Sequence, residues 1–386
     1  MGLLKGIRVL DFTHFIAGPH CTQILADHGA DVIKIEPLQG EASRKANPMY
    51  NDASLYFAAM NRNKRAFSLD MKAEKSKEIV HKLVKSADIL VTNYSVGVPE
   101  KLGFGYEDIS AINPKIIMVH ISGFGLTGPL KHHGAFDGII QAMSGISHLT
   151  GETEGPPLKT GLFIADHISA LQGAIGALLA LVARNQTGKG QLVDVSMLDS
   201  MVSMLAYHLS LVSIFQKSPT RAGNRSTNVF ATTFKAKDGY IYIAPITDNM
   251  WSELCHVIGH PEFSTKYPTQ KERLADYDFL EDEITKWTST KTITEIEAIL
   301  SEKKVAWGKV NSMEELLAHP QLVDREMLLN IKLDDMEAIV PGVVLKMSED
   351  DHLRKNNIPE IGEHNEEILR ELGLTKQEID GLTTTK

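Results

Sequence analysis

Cysteine is almost absent from this 386-residue chain, which carries only Cys21 and Cys255. Two thiols build neither a disulfide framework nor a four-cysteine zinc site, and their scarcity points to a reducing compartment. Excess positive charge is also missing. Lys and Arg number 40 against 49 Asp and Glu, a formal net charge of −9. That balance argues against a general affinity for nucleic acid or anionic membrane. The longest apolar run, around Ala174 to Ala183, is short of the ~20 residues that span a bilayer. Met1-Gly2-Leu3-Leu4-Lys5-Gly6 leads straight into a strand-like segment, without a signal-peptide layout. The expectation is a soluble, cytoplasmic protein without nucleic-acid or membrane partners.

Signatures of several enzyme classes are missing too. The chain has no G-x-S-x-G elbow, no G-x-x-x-x-G-K-[ST] phosphate loop and no H-E-x-x-H zinc helix. Its 15 histidines are scattered without metal-ligand spacing, so no metal site is expected. A hydrophobic content of 43% with 23% charged residues is that of a globular chain rather than a disordered one. The length allows about two or three domains.

What is there is an alternation of strand and helix. Residues 7–12 are a β-type run, residues 21–28 carry helical spacing closed by Gly29, and residues 31–35 are strand again, a βαβ unit. Residues 73–87 put Ile79, Val80, Leu83 and Val84 on one helical face, and strands follow at 89–91 and 116–121. Such an order predicts a mostly parallel sheet covered on both faces. Residues 166–185 read as a long helix whose small residues (Ala170, Gly173, Ala174, Ala177) permit close backbone approach. Gly188-Lys189-Gly190 stops it, 191–196 is a strand, and one further helix runs from Met197 to about Phe215. Beyond Gln216 the texture changes. Residues 234–243 read as a hairpin turning at Asp238-Gly239, with helices at 249–258 and from Thr292. Thr292 with Glu295, and Ser312 with Glu315, are capping boxes. Residues 328–347 return to β character with a turn at Pro341-Gly342, and a last capped helix starts at Thr375. The predicted class is α/β: a large Rossmann-like parallel-sheet domain over 1–205, a smaller α+β domain over 225–325, and a segment, 326–386, returning to the large domain.

Gly123-Phe124-Gly125-Leu126-Thr127-Gly128 matches G-x-G-x-x-G after a strand. A dinucleotide site needs a helix to open at once, and Pro129-Leu130-Lys131 opens one poorly, so a glycine loop around some other ligand is the better reading. His132-His133-Gly134-Ala135-Phe136-Asp137-Gly138 fits H-H-x-x-x-D-G, in which His133 would be an acyltransferase's general base. The D-F-G-W-G segment that accompanies it is absent, and two solvated loop histidines are the plainer reading. Arg62-Asn63-Lys64-Arg65 is the densest basic cluster, a solvated turn or a phosphate contact. Asp166, opening the long helix, is either a first-turn acid or a nucleophile that can attack an activated acyl group.

Several segments in order along the chain resemble the family III CoA-transferases, among them formyl-CoA transferase and carnitine CoA-transferase. They are Gly6-Ile7-Arg8-Val9-Leu10-Asp11-Phe12-Thr13 with Ala17-Gly18-Pro19, Gly29-Ala30-Asp31-Val32-Ile33-Lys34-Ile35-Glu36, Asn61-Arg62-Asn63-Lys64-Arg65, Ser122-Gly123-Phe124-Gly125, Ala165-Asp166, Thr187-Gly188-Lys189-Gly190-Gln191 and Ile361-Gly362-Glu363-His364. The resemblance implies an enzyme that moves CoA from an acyl-CoA thioester to a free carboxylic acid, with Asp166 as covalent nucleophile and no permanently bound cofactor. It implies CoA contacts at Ile16 and Ala17, Leu69 and Lys72, Asn93 and Tyr94, Lys101 and Asp137, with Lys72 and Lys101 facing phosphates. It also implies an interlocked, ring-like homodimer. Members commonly carry arginine where Lys101 stands, so this contact becomes a point charge. Ile16 replaces a glutamine of formyl-CoA transferase, which argues against oxalate as acceptor. The related α-methylacyl-CoA racemases use a histidine where this chain has Phe136, which cannot move a proton. A non-catalytic CoA-binding subunit is a third alternative, opposed by the presence of Asp166.

Overall fold

Aliphatic runs build strands β1 (Arg8–Phe12), β2 (Asp31–Glu36), β3 (Arg65–Ser68), β4 (Ile89–Thr92), β5 (Ile117–Ser122) and β6 (Leu192–Ser196). In this computed structural model, which describes residues 2–350 and 356–378, they pair in parallel as one six-stranded sheet of order β3-β2-β1-β4-β5-β6. Val9 lies between Val32 and Ile89. The Ile-Leu-Val run of β4 is buried on both faces, as a central parallel strand requires.

One face of the sheet buries Leu25, Val32, Val91, Ile121, Ile140 and Ala174 with helices α1 (Ala17–Asp27), α2 (Asp137–Met143) and α3 (Ile164–Thr187). The other buries Leu10, Ile33, Leu83, Leu90, Ile109 and Leu369. The expected small-residue approach is present: a Cβ on Gly173 would stand 3.1 Å from the Cys21 sulfur. One expectation needs correcting here. With 24 residues, α3 is long and apolar enough to cross a bilayer, because its polar residues are too sparse to interrupt it. Its buried residues are small ones such as Ala170, Gly173, Ala174 and Ala177, whereas Leu171, Ile175, Leu179 and Val182 are exposed.

The chain divides into two compact units. One holds the described residues up to Ser147, Lys159–Ser213 and those from Gln321 onward; the other holds His148–Leu158 and Ile214–Pro320. Residues 148–158 thus pack with the smaller unit, not with the domain expected over 1–205. Gly223 donates to the Gly151 carbonyl, and the Arg221 guanidinium holds the carbonyls of Glu152 and Gly155. The smaller unit has a three-stranded antiparallel sheet in which Thr232–Lys235 and Tyr240–Ile243 form the expected hairpin and Trp307–Lys309 adds an edge. Phe234, Trp251, Leu254, Ile284 and Ile296 form its core.

Two local expectations fail. The helix expected over 197–215 is two helices, Met197–Ser203 and His208–Phe215, bent by 73°, because Ala206 between them takes a left-handed conformation (φ 47°). The C-terminal hairpin turns at Asp334 (φ 55°), not at Pro341-Gly342; Leu333 pairs with Met336, and Pro341 lies in the second strand opposite Leu328. Aspartate tolerates the left-handed region that such a tight turn needs. At Thr375 the hydroxyl and backbone exchange hydrogen bonds with Glu378, and the remainder of the helix expected there lies outside the described residues.

Candidate active site

In an open parallel sheet, ligands bind beyond the carboxyl ends of the strands where the strand order reverses. Here that place lies between β1 and β4. A cavity of about 230 Å³ opens there, lined by His14, Phe15 and Ala17 after β1, Asn93 after β4, Ser122 at the end of β5 with Gly123 after it, and Asp166 in α3. Tyr56, Phe136, Asp137 and Phe163 complete much of its wall.

The β1–α1 loop is fixed from beneath. Asp11, fully buried on β1, accepts from Lys64 Nζ at 2.9 Å, from Thr22 Oγ1 at 2.6 Å and from the Thr13 amide at 3.1 Å. Burial alone would raise its pKa, but the Lys64 and Lys34 ammoniums and the Thr13 and Thr22 hydroxyls outweigh that and hold the carboxyl well below its ordinary range. Lys34 Nζ donates to the Thr13 carbonyl at 2.9 Å. From the β4 side, Asn93 accepts from the His14 amide at 3.0 Å and donates to the His14 carbonyl at 2.8 Å. So braced, the loop holds Phe15 at φ 62°, a conformation that bulky residues adopt only when their surroundings impose it. The α1 helix then begins at Ala17 with no side-chain cap, because Ile16 offers no oxygen to its first-turn amides.

The start of α3 is built differently. Asp137 Oδ1 accepts from the Ala165 amide at 2.7 Å and from the Asp166 amide at 3.4 Å, and its other oxygen accepts from Gln141 Nε2 at 2.6 Å. One aspartate thus caps the helix that carries the other. No hydrogen bond or ion pair among the described residues reaches the Asp166 carboxylate, and burial followed by the charge of Asp137 pushes its pKa up to about 7. Burial, with Asp166 the foremost facing charge, also raises the Tyr56 hydroxyl above its ordinary range.

Of the residues proposed from sequence, Asp166, Ala17, Asn93 and Asp137 meet at this cavity. The side chains of Asn93 and Asp137 are committed to the protein itself, as brace and cap. Ile16 is buried beside the cavity as the α1 cap position, Leu69 is buried in the core of the opposite sheet face, and Tyr94 stacks on His14 with 5.4 Å between ring centroids. Lys72, after β3, and Lys101, in the last turn of Val98–Leu102, are exposed and do not line the cavity. The basic cluster is neither a solvated turn nor free for phosphate. Arg62 pairs with Asp27, Lys64 with Asp11, and Arg65 with Asp31 and Glu371. His132 and His133 are exposed and do not line the cavity, and no helix opens directly after Gly128, where residues 129–136 are turn and loop. Sequence reasoning missed His14, Phe15, Tyr56 and Phe163; no local pattern sets them apart, since loops and helices far apart in the chain bring them together.

The sequence model of CoA-transferase family III matches residues 4–365. A succinyl-CoA:mesaconate CoA-transferase of Haloarcula hispanica is 36% identical, with 97% of each chain covered. An acetyl-CoA:oxalate CoA-transferase of Acetobacter aceti is also 36% identical, with 96% of each chain covered. Among solved structures, a CAIB/BAIF family protein from Brucella suis superposes with a TM-score of 0.86 at 32% identity, covering 96% of this chain and 99% of that one.

Proposed function

The chain belongs to CoA-transferase family III, and from that premise we propose that Asp166 carries the transfer covalently. The Asp166 carboxylate attacks the thioester carbonyl of an acyl-CoA, giving an acyl-aspartyl anhydride and CoA thiolate. The thiolate then attacks the aspartyl carbonyl, forming an aspartyl-CoA thioester and releasing the first acid. An incoming carboxylate displaces the CoA thiolate as a new anhydride, and the thiolate takes the new acyl group, restoring Asp166. Exchange between two carboxylic acids is nearly thermoneutral, so the acyl energy needs only covalent storage.

The observation that carries this reading is the Asp166 carboxylate, facing the cavity with no partner among the described residues and made more basic by burial and Asp137. Basicity favours nucleophilic attack, and at neutral pH a useful fraction remains ionised. The uncapped first turn of α1 supplies amides for the oxyanion that forms on the attacked carbonyl. Lys72 and Lys101, exposed beyond the carboxyl ends of β3 and β4, are the cations assigned to the CoA phosphates. The open leucine and isoleucine face of α3 is assigned to a second copy of the chain in an interlocked homodimer, because a soluble surface rarely leaves such a stripe uncovered.

The test is chemical capture. The protein is incubated with succinyl-CoA and mesaconate, then with other acyl-CoA and acid pairs, treated with hydroxylamine or borohydride, and mapped by mass spectrometry. Donor-dependent modification of Asp166, absent from Asp166→Ala, is the expected result. Acyl transfer to amines or alcohols that vanishes in His133→Ala, with Asp166 unmodified, would overturn it.

A further inference from the structure

A half-buried pair of histidines on the two helices that flank the cavity has no part in the chemistry above. His20 stands in the first turn of α1, where its amide donates to the Ile16 carbonyl, and His167 follows Asp166 in α3. Their Nδ1 atoms are 2.9 Å apart, and the rings meet edge to face with centroids 4.8 Å apart and planes at 80°. At that separation one ring carries Nδ1–H and donates while the other accepts. Among the described residues this is the one side-chain hydrogen bond between α1 and α3. The rest of their contact is small and apolar, with Gly173 against Cys21 and alanines along the seam. That packing is close but not directional, so among the described residues the bond is the one polar link that fixes the two first turns against each other.

The two first turns joined by this bond are the two sides of the cavity: Ala17 on α1 and Asp166 on α3. We propose that the His20–His167 hydrogen bond is a positioning strut, holding the Asp166 carboxylate at its working distance from the open N-terminus of α1, and that it fails when both imidazoles are protonated. The inference rests on Asp166 as the nucleophile. With no extra proton the bond is neutral; with one, the imidazolium donates and the bond survives. With two, both N–H groups point at each other and the strut opens.

The charged groups around the pair come from two other elements. Lys64 and Arg62, from the segment before β3, face His20 as cations, each held in its own ion pair, and Asp137 of α2 faces His167. Burial, His167 and those cations push the His20 pKa down to about 4. Burial lowers that of His167, with Asp137 partly opposing. The strut is therefore closed at neutral pH and opens only well into the acid range.

The test compares His167→Leu with His167→Asn in the full-length protein, measuring kcat and KM for succinyl-CoA and mesaconate across pH alongside capture at Asp166. The Asn amide nitrogen falls near the place of Nδ1 and does not titrate. His167→Leu should lose on the order of 10²-fold in kcat with little change in KM, the usual penalty for ångström-scale misplacement of a reacting group. The wild type should show a steep final fall in kcat at low pH; His167→Asn should regain most of the His167→Leu loss and lack that fall. Wild-type kcat and pH profile in His167→Leu would overturn the inference. Should that variant not fold, His20→Asn and His167→Asn must each abolish the steep acid fall, and an unchanged profile in both is fatal. Absence of capture at Asp166 in the wild type defeats the nucleophile reading and this inference with it; capture beside a silent His167→Leu defeats the inference alone.

Discussion

Asp11 and Asp166 belong to the same α/β unit, both withdrawn from bulk water, and their surroundings drive their ionisation in opposite directions. Asp11 is surrounded by donors: an ammonium, two hydroxyls and an amide converge on its oxygens. Asp166 has none among the described residues and a second carboxylate beside it. Burial acts on both, so the number of donors decides the outcome. A carboxylate with every lone pair engaged fixes a loop; one left without partners keeps its lone pairs for chemistry. Asp137 sits between these cases, because it spends one oxygen on the α3 amides that would otherwise lower the pKa of Asp166 and the other on Gln141.

The contrast breaks first on activity. Asp166→Ala should lose about 10⁴-fold or more in exchange rate, since the group that stores the acyl energy is gone, while the fold persists. Wild-type turnover in that variant would put the nucleophile elsewhere. Asp11→Asn should do the reverse and strike stability first. It leaves the Lys64 ammonium buried without its counter-charge, a cost of about 3–5 kcal/mol measurable by urea or thermal unfolding. Adding Lys64→Met to that variant should recover part of the loss, because the stranded charge is then removed.

The βαβ order was legible because parallel strands buried on both faces must be aliphatic runs, and the strand–helix alternation leaves few topologies. The chemistry was legible only in part. A first-turn aspartate is common, so local sequence leaves Asp166 between a helix-start acid and a nucleophile, and the family resemblance tips that balance. The cluster at 62–65 looked solvated because its partners Asp11, Asp27 and Asp31 come from the first βαβ unit, beyond any local window. The break at Ala206 and the turn at Asp334 depend on left-handed conformations that their residue types permit but do not announce. His20 and His167, 147 residues apart, meet only once α1 and α3 cover one face of the sheet.

Smaller effects sharpen the contrast. Because the Asp11 pKa is depressed in the folded state, its contribution to stability is present above the ordinary carboxylate range, near 4, and is lost as pH falls below it. Because the Asp166 pKa is raised, the native state holds a proton that the unfolded chain releases, so stability declines as pH rises from about 4 to about 7. Asp166→Asn should therefore stabilise the protein at pH 8, on the order of 1 kcal/mol, and leave it unchanged at pH 4 where Asp166 is already neutral.

The finest test is Asp137→Asn. Its amide oxygen can still accept from the Ala165 amide, so the cap survives at a cost of about 1 kcal/mol or less. The negative charge beside Asp166 is gone, however. The acid limb of kcat/KM, set near 7 by the need for an ionised Asp166, should then move to lower pH by less than about one unit, since burial is the larger of the two causes. A limb that stays in place would mean that desolvation alone holds the Asp166 pKa. A limb that moves by several units would make Asp137 the dominant influence and reverse the order of the two causes.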